Sequence, residues 1–202
     1  MTNIIIFASG NGSNAFKLIE HFNQHPSITV RAVFSNIADA PVLEKARKAG
    51  IDAINFTRKE FQDPDFTKKL SDYQCNWIIL AGFLWLVPEY LIQFMEGRII
   101  NLHPALLPSY GGKGMYGANV HKAIIDAKEP FSGITIHLVD NHYDHGEILF
   151  QAHCIVDPDD SPDSLASKIH QLEWKYLPLV CEKTILEGVA FVRQMDDNKA
   201  FQ

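Results

Sequence analysis

This sequence has few cysteines and no long apolar runs, and its acidic residues outnumber its basic ones only moderately. The three cysteines, Cys75, Cys154 and Cys181, lack C-x-x-C spacing, which argues against a disulfide framework or a zinc site and fits a reducing cytosol. No apolar run approaches the roughly 18 residues that a membrane span needs. A net charge of −6 gives no general attraction to nucleic acid or to an anionic membrane. We therefore expect a soluble cytoplasmic domain.

The rest of the composition is that of an ordinary globular protein. The chain has 202 residues, of which 47% are hydrophobic and 21% charged, enough for one sizeable core. A short apolar run near Met1 lacks a basic leader and a cleavage site, so we interpret it as a strand rather than a signal peptide. A single domain over residues 1–202 is predicted.

Short strands and amphipathic helices alternate through the first half of the chain. Apolar and β-branched runs predict strands at Asn3–Ala8, Ile28–Phe34, Asp52–Phe56, Trp77–Ala81 and Ile99–Ile100. A helix is predicted after the turn at residues 9–14, and others are predicted over Pro41–Lys48, Lys59–Tyr73 and Pro88–Met95. Such alternation requires right-handed crossovers. The predicted fold class is α/β, with a doubly wound, mostly parallel sheet.

The second half has a different pattern. Residues 118–127 predict a helix, and the strict alternation of Ile134–Val139 predicts a half-buried strand. Glu147–Val156 is expected to be a further strand, antiparallel to its predecessor and joined to it by a loop. Ser161 caps the last long helix, with Pro162 at its first position, and Val189–Gln194 predicts a final strand. The C-terminal part of the sheet is therefore expected to be antiparallel.

The stretch RIINLHPALLPS, residues 98–109, delivers an amide and an imidazole where a strand leaves its sheet. Asn101 and His103 follow the predicted strand, and Pro104 prevents continued pairing. Ligands of open α/β sheets bind outside the carboxyl ends of the strands. There the two side chains are suited to hold a carbonyl oxygen and stabilise the charge it gains under attack. The alternative is a buried Asn that caps a turn beside a core His bonded to backbone.

Two other strand ends carry candidate binding segments. The turn S-G-N-G-S-N at residues 9–14 matches neither G-x-G-x-x-G nor the P-loop. Free amides near Gly12, Ser13 and Asn14 favour a phosphate-sized anion; alternatively this is a plain turn with a Ser or Asn cap. The apolar loop 84–87 follows another buried strand. It is either a wall for a flat heteroaromatic ligand or a part of the core.

The loop Asp140–Gly146 concentrates two carboxylates and two imidazoles. His142, His145 and Asp144 are candidate metal ligands, but one loop rarely completes a site and no H-x-x-x-H pair accompanies them, so we assign no metal. A solvated turn is one alternative. Another is that one Asp reaches His103 and raises its pKa.

Two further segments carry polar groups. Residues 109–117, SYGGKGMYG, contain one cation, Lys113, and form either a mobile loop over the crevice or a plain surface loop. His170 and Glu173 lie three residues apart on one face of the last predicted helix. Such a pair is ordinarily exposed.

Taken in order, these segments resemble the folate-dependent formyltransferases and, within them, the phosphoribosylglycinamide formyltransferases. The matching pieces are SGNGSN at 9–14, FSN at 34–36, LAGF at 80–83, INLHPALLPSYGG at 100–112, D-x-G at 144–146, H-x-x-E at 170–173, and YLPLV. The resemblance covers nearly the whole chain. It implies a Rossmann-like formyltransferase fold, with a phosphate-binding half at 1–100 and a catalytic, folate-binding half at 101–202. It also implies transfer of a formyl group from the co-substrate 10-formyltetrahydrofolate to the amine of 5′-phosphoribosylglycinamide in de novo purine biosynthesis, without a metal.

The same resemblance implies residue roles. Asn101 and a protonated His103 stabilise the oxyanion, while Asp144 raises the pKa of His103 and aids proton shuttling. The residues implied to contact the ribonucleotide are Gly12, Ser13, Asn14, His170 and Glu173. Those implied to contact the formyl-folate are Leu84, Trp85, Leu86, Val87, Asn101, Asp140, Asn141, His142, Tyr143 and Asp144.

Some alternatives stay open at this point. Family members often carry a basic residue where this chain has Trp85, which leaves contacts to the folate tail unassigned. Formyltransferases that act on methionyl-tRNA or on sugar nucleotides, and formyltetrahydrofolate hydrolases, share the Asn, His and Asp. The acidic charge argues against tRNA, and a sugar-nucleotide acceptor is the hardest to exclude. A further alternative, from a different functional class, is a non-catalytic nucleotide-binding module built on the same kind of sheet. We expect small-molecule substrates and a monomer or homodimer.

Overall fold

The structure, a computed structural model, describes residues 1–189. The described residues divide into two compact units, with the boundary between Asn101 and Leu102. The elements that begin in the first unit are β1 (Thr2–Phe7), α1 (Ser13–Phe22), β2 (Ile28–Ser35), α2 (Pro41–Lys48), β3 (Asp52–Asn55), α3 (Arg58–Gln62), α4 (Phe66–Asp72), β4 (Trp77–Leu80), α5 (Glu89–Met95) and β5 (Ile99–His103). Those of the second unit are α6 (Ala118–Asp126), β6 (Phe131–Leu138), β7 (Ile148–Ile155) and α7 (Pro162–Glu187).

The first unit is built on parallel strand pairs. β1 pairs with β2 and β4, β2 pairs with β3, and β4 pairs with β5, all in parallel. The centre of β1, Ile4 to Phe7, is fully buried, because helices cover both faces of such a sheet. Phe7 stacks on Phe34 of β2 with 5.4 Å between ring centroids, and further phenylalanines surround this pair.

The second unit supplies the antiparallel part of the sheet. β6 and β7 pair antiparallel from Phe131 opposite Ile155 to His137 opposite Ile148. Among the described residues, the seven strands follow the order β3-β2-β1-β4-β5-β6-β7. The predicted α/β fold, mostly parallel with an antiparallel C-terminal part, is confirmed.

The helix predicted over Lys59–Tyr73 is wrong as a single element. α3 ends at Gln62 and α4 begins at Phe66, with Asp63 between them in an extended conformation at φ −89° and ψ 126°. The cause is Pro64, which disfavours a helical conformation in the residue before it and has no N–H to donate. Thr57 and Glu60 form a reciprocal capping box that starts the shorter α3.

The half-buried interpretation of β6 is also wrong, because Ser132 to His137 are all buried. Thr135 shows how a polar residue is accommodated there. Its hydroxyl donates to the Ala105 carbonyl at 2.7 Å and accepts from the Leu107 N–H at 3.0 Å. Alternation in β6 therefore separates two buried environments, and Thr135 bonds to the backbone that follows β5.

The last long helix begins as predicted. The Ser161 hydroxyl accepts from the Ser164 N–H, the Ser164 side chain bonds back to the Ser161 N–H, and Pro162 is the first helical residue. The strand predicted at 189–194 lies, apart from its first residue, outside the described residues. None of the described helices combines the length and apolar character that a bilayer crossing requires.

Candidate active site

β5 extends further than predicted and carries two of the expected catalytic side chains itself. The strand runs through His103 rather than ending at Ile100, and Pro104 follows directly. Asn101 and His103 are two residues apart on one strand, so their side chains emerge on the same face. Asn101 is half-buried, whereas His103 is only 3% exposed. A single short strand thus places an amide and an imidazole side by side.

The His103 ring is held at both nitrogens. Nε2 lies 2.8 Å from the backbone carbonyl oxygen of Tyr110, and Nδ1 lies 3.4 Å from Oδ1 of Asp144. Both partners are acceptors when the carboxylate is ionised. Both ring nitrogens of His103 therefore face an acceptor, the Tyr110 carbonyl oxygen at Nε2 and the Asp144 carboxylate at Nδ1.

Asp144 is the carboxylate that reaches His103, as one of the alternatives for its loop expected. It adopts a left-handed conformation at φ 53°, and its Oδ2 accepts from the Gly112 N–H at 2.9 Å. Burial by itself raises the pKa of the Asp144 carboxyl, but the interactions with His103 and His137 and the Gly112 N–H outweigh burial and hold that pKa far below its usual range. Asp144 is therefore a fixed negative charge beside a buried imidazole.

His137 belongs to this cluster, and the sequence analysis missed it. Its Nε2 lies 3.8 Å from Oδ1 of Asp144, while Nδ1 lies 2.7 Å from the Leu138 carbonyl oxygen. Only 2% of the residue is exposed. The available signal was an imidazole within the strand that leads into the Asp144 loop, but the alternation pattern was taken to place it towards solvent.

The glycine-rich turn precedes α1 without any side-chain cap. Gly12 occupies the N-cap position at φ 74° and ψ 30°, and a Cβ there would lie 2.2 Å from Cγ2 of Val42, so the position requires glycine. The alternative interpretation, a plain turn with a Ser or Asn cap, is wrong about the cap. Ser13 and Asn14 form the first turn of α1. Lys45 adds a cation that the sequence analysis missed, since its Nζ lies 2.8 Å from the Asn11 carbonyl oxygen.

Different residues of the apolar loop 84–87 fit the two interpretations given for it, a wall for a ligand and a part of the core. Leu84 and Leu86 are 47% and 40% exposed, as a wall for a ligand requires. Val87 is buried, and the Trp85 ring packs 5.9 Å from Phe61 and 5.3 Å from the Arg58 guanidinium carbon. Val87 therefore belongs to the core, whereas Trp85 is half-buried and packs at its edge.

The two carboxylates of the loop between β6 and β7 have different partners. Asp144 faces His103, whereas Asp140 accepts from the His142 N–H at 2.8 Å and lies 2.7 Å from Nδ1 of His145. Burial raises the pKa of Asp140, but the bonds with His145 and His142 lower it by more, so the net shift is downward. Asn141, His142 and Tyr143 are exposed.

The expectation of an exposed pair at His170 and Glu173 is wrong for one of its members. His170 is exposed and stacks on Trp174, with ring centroids 5.8 Å apart. Glu173 is only 6% exposed, an unusual position for a carboxylate. His121 of α6 is also buried, and burial followed by the effect of His170 lowers its pKa. A neutral imidazole and a buried carboxylate thus belong to the packed interior of the second unit.

Comparison with known proteins identifies the family to which this chain belongs. The sequence pattern of the formyl transferase family matches residues 2–181. The chloroplastic phosphoribosylglycinamide formyltransferase of Vigna unguiculata is 35% identical over 98% of this chain and 68% of its own length. The phosphoribosylglycinamide formyltransferase of Escherichia coli (strain K12) is 34% identical over 88% of this chain and 84% of its own.

A solved structure agrees with these relatives. The phosphoribosylglycinamide formyltransferase of Streptococcus pneumoniae TIGR4 superposes with a TM-score of 0.79 at 35% identity, over 92% of this chain and 99% of that protein. Sequence and fold therefore lead to one assignment: the chain belongs to the formyl transferase family, among its phosphoribosylglycinamide formyltransferases.

Proposed function

We propose that this chain transfers the formyl group of 10-formyltetrahydrofolate to the amine of 5′-phosphoribosylglycinamide during de novo purine biosynthesis. Family membership supports the reaction class. The observation that carries the assignment to specific residues is the buried His103–Asp144 pair, with 3.4 Å between Nδ1 and Oδ1, beside Asn101 on the same face of β5. An amide and a charged imidazole at one strand end suit a carbonyl oxygen that gains charge.

The chemistry follows from these groups. The substrate amine attacks the formyl carbon, the bond from that carbon to the folate nitrogen breaks, and the amine proton passes to that nitrogen. Negative charge builds on the formyl oxygen between these events, and donors from Asn101 and His103 stabilise it. The Asp144 carboxylate orients the His103 ring, stabilises its positive charge, and holds a water that shuttles the proton. Direct attack by the amine needs no covalent enzyme intermediate.

The ribonucleotide is assigned to two segments. The turn at Gly12, Ser13 and Asn14 leads into the N-terminus of α1, where the helix dipole favours a phosphate. Lys45 brings a positive charge to the same turn through Asn11. Glu173, with His170 on the same helix, is suited to the glycyl amine.

The folate is assigned to two loops. Leu84 and Leu86 expose apolar side chains that suit a flat pterin, with Trp85 and Val87 anchoring their loop from inside. Backbone groups of residues 140–144 are suited to the polar edge of the ring. Backbone groups can recognise the folate whatever side chains the loops carry. This suits loops whose side chains differ from those of the family.

Other expectations remain part of this proposal. We place the enzyme in the cytoplasm, with small molecules rather than nucleic acid as its partners, acting as a monomer or homodimer. A sugar nucleotide is the competing acceptor. The phosphate-suited turn before α1 favours the purine precursor over it.

The test is an assay with a 10-formyltetrahydrofolate analogue whose deformylation changes absorbance. Turnover should require phosphoribosylglycinamide and be lost in His103→Ala, while His153→Ala, an exposed histidine on β7, keeps it. Turnover without any acceptor would instead identify a hydrolase. Turnover only with an amino-sugar nucleotide would assign the competing acceptor.

A further inference from the structure

Three side chains of the loop between β6 and β7 converge outside the proposed catalytic cluster. One ligand atom each from Asp140, His142 and His145 lies within 4.8 Å of the other two. The shortest contact is 2.7 Å from His145 Nδ1 to Asp140 Oδ2, and His142 Nδ1 lies 4.0 Å from Asp140 Oδ1. From sequence, Asp144 was the carboxylate considered with these histidines. The structure replaces it with Asp140, because Asp144 faces His103.

The backbone that carries this cluster is fixed at its base. The Leu138 N–H donates to the Glu147 carbonyl at 2.8 Å and closes the loop. A Cβ at Gly146 would lie 1.9 Å from the Leu138 carbonyl oxygen, so only glycine fits. The Asp140 side chain also accepts from the His142 N–H, which ties two of the three residues together. A ligand arriving here would therefore meet a largely ordered loop, and order in the free state reduces the entropy cost of binding.

The chemistry of the cluster selects a class of ion. Two imidazole nitrogens and one carboxylate oxygen form a mixed donor set of the kind that zinc and neighbouring transition metals bind, whereas magnesium and calcium prefer oxygen donors alone. Three protein ligands leave a coordination position for water. The histidine side chains are 76% and 74% exposed, so an ion has open access from solvent.

We propose that Asp140, His142 and His145 bind one divalent transition-metal ion of the zinc class. The ion takes the place of the hydrogen bond between His145 and Asp140, and the His145 ring keeps its proton on Nε2 instead of Nδ1. The ion bridges residues 140 and 145 across the segment that contains Asp144. This site is separate from the His103–Asp144 pair, and it uses side chains of the loop whose backbone is proposed to receive the folate.

Isothermal titration of metal-free protein without a histidine tag tests the proposal, with Zn²⁺ as the probe. We expect one ion per chain. His142→Ala and His145→Ala should each weaken binding by at least about tenfold, since removing even a group that merely orients a metal ligand costs about 10- to 100-fold. Asp140→Asn should weaken it as well, although its amide oxygen still accepts from the His142 N–H. His153→Ala, an exposed histidine on β7, is the matched control and should leave the affinity unchanged.

Co²⁺ provides an independent readout, because its visible spectrum reports the ligand set. A one-to-one complex with nitrogen and oxygen ligands, lost in His142→Ala and in His145→Ala, would support the site. The proposal is overturned by a titration without saturable binding. Binding that survives both alanine variants, or that disappears in His153→Ala, overturns it as well.

Discussion

At the scale of single residues, Asn101 offers the most direct test of oxyanion stabilisation. Its amide shares a face of β5 with His103 and stays half-buried at the strand end. Asn101→Ala should lower kcat by about 100- to 1,000-fold, the usual cost of one lost oxyanion donor, with little change in the KM for either substrate. Steady-state kinetics would measure this. Asn23→Ala, at the exposed end of α1, should behave as wild type, and a kcat within a few-fold of wild type for Asn101→Ala would contradict the role.

Asp144→Asn should reveal the contribution of the depressed pKa to stability. The folded state holds the pKa of Asp144 below that of the unfolded chain, which is about 4. Its contribution is therefore fully present above about pH 4 and lost as the pH falls through the folded-state pKa. We expect Asp144→Asn to reduce the free energy of unfolding at pH 7 by about 1.5–3 kcal/mol, the worth of a hydrogen bond to a charged group.

Urea unfolding of Asp144→Asn and wild type at several pH values would measure this difference. The difference in the free energy of unfolding between the two proteins should decrease only below about pH 4. Asp126→Asn, which removes one partner of an exposed pair with Lys122, should change stability by less than about 0.5 kcal/mol. A gap that persists unchanged into strong acid would show that the charge of Asp144 is not its cause.

The sequence analysis anticipated some of these residues for a physical reason. Asn101 and His103 were visible because Pro104 marks the strand end, and the approach of a loop carboxylate to His103 was among the alternatives. His137 and Lys45 were not visible. A polar residue in an alternating strand does not show whether it faces solvent or a buried cluster, and a cation 34 residues from Asn11 shows no local pattern.

At the scale of elements, the start of α7 should respond to the loss of its cap. The Ser161 hydroxyl accepts from the Ser164 N–H at 3.1 Å. Ser161→Ala should lower the free energy of unfolding by about 1 kcal/mol, measured by urea denaturation. Ser167→Ala, on the exposed side of the same helix, should stay within about 0.5 kcal/mol of wild type. Equal effects of both substitutions would argue against the cap.

Gly133 should be the least replaceable residue of β6. A Cβ at this position would lie 2.0 Å from the Ala152 carbonyl oxygen of β7 and 2.7 Å from Cδ2 of Leu106. Because the nearest atom is backbone, we expect Gly133→Ala to destabilise the fold by about 1–3 kcal/mol or more, seen as a lower thermal midpoint. Gly10→Ala meets nothing within 4 Å and should fold normally. A wild-type midpoint for Gly133→Ala would mean that the strands separate without cost.

Helix and strand bounds could be predicted from the sequence where a single local pattern determined them. The bounds of α2 match the prediction at Pro41–Lys48, since a proline opens the helix and Gly50 follows its end. The segment 59–73 carried two signals in conflict, and Pro64 overrode the helical pattern around it. β6 was misjudged because burial on both faces is a property of its neighbours and not of its own sequence.

At the scale of the whole molecule, the net charge of −6 disfavours a phosphorylated substrate. In the proposed function, binding depends on local groups, the N-terminus of α1 and Lys45. Asn14→Asp places a negative charge in this first turn, where it suits the helix itself but repels a phosphate. We expect the KM for phosphoribosylglycinamide to rise at least about tenfold, or 1.4 kcal/mol, with kcat largely kept. Steady-state kinetics at a fixed folate concentration would measure it.

Asn23→Asp is the matched control for this charge change, because it alters the net charge equally at the other end of α1. It should leave the KM for the ribonucleotide close to wild type. A similar KM increase in both variants would show that overall charge, and not the turn before α1, governs binding.

The carbonyl oxygen of Tyr110 lies 2.8 Å from Nε2, one of the two ring nitrogens of His103. If His103 stabilises the formyl oxygen through Nε2 in the proposed reaction, that oxygen must displace the Tyr110 carbonyl. The formyl substrate then gains no additional hydrogen bond at Nε2, because its oxygen replaces an acceptor that is already there. In that case the proposed reaction requires the segment around Tyr110 to move away from His103 and to return. The affinity for the formyl donor would then be lowered by the free energy of displacing the Tyr110 carbonyl.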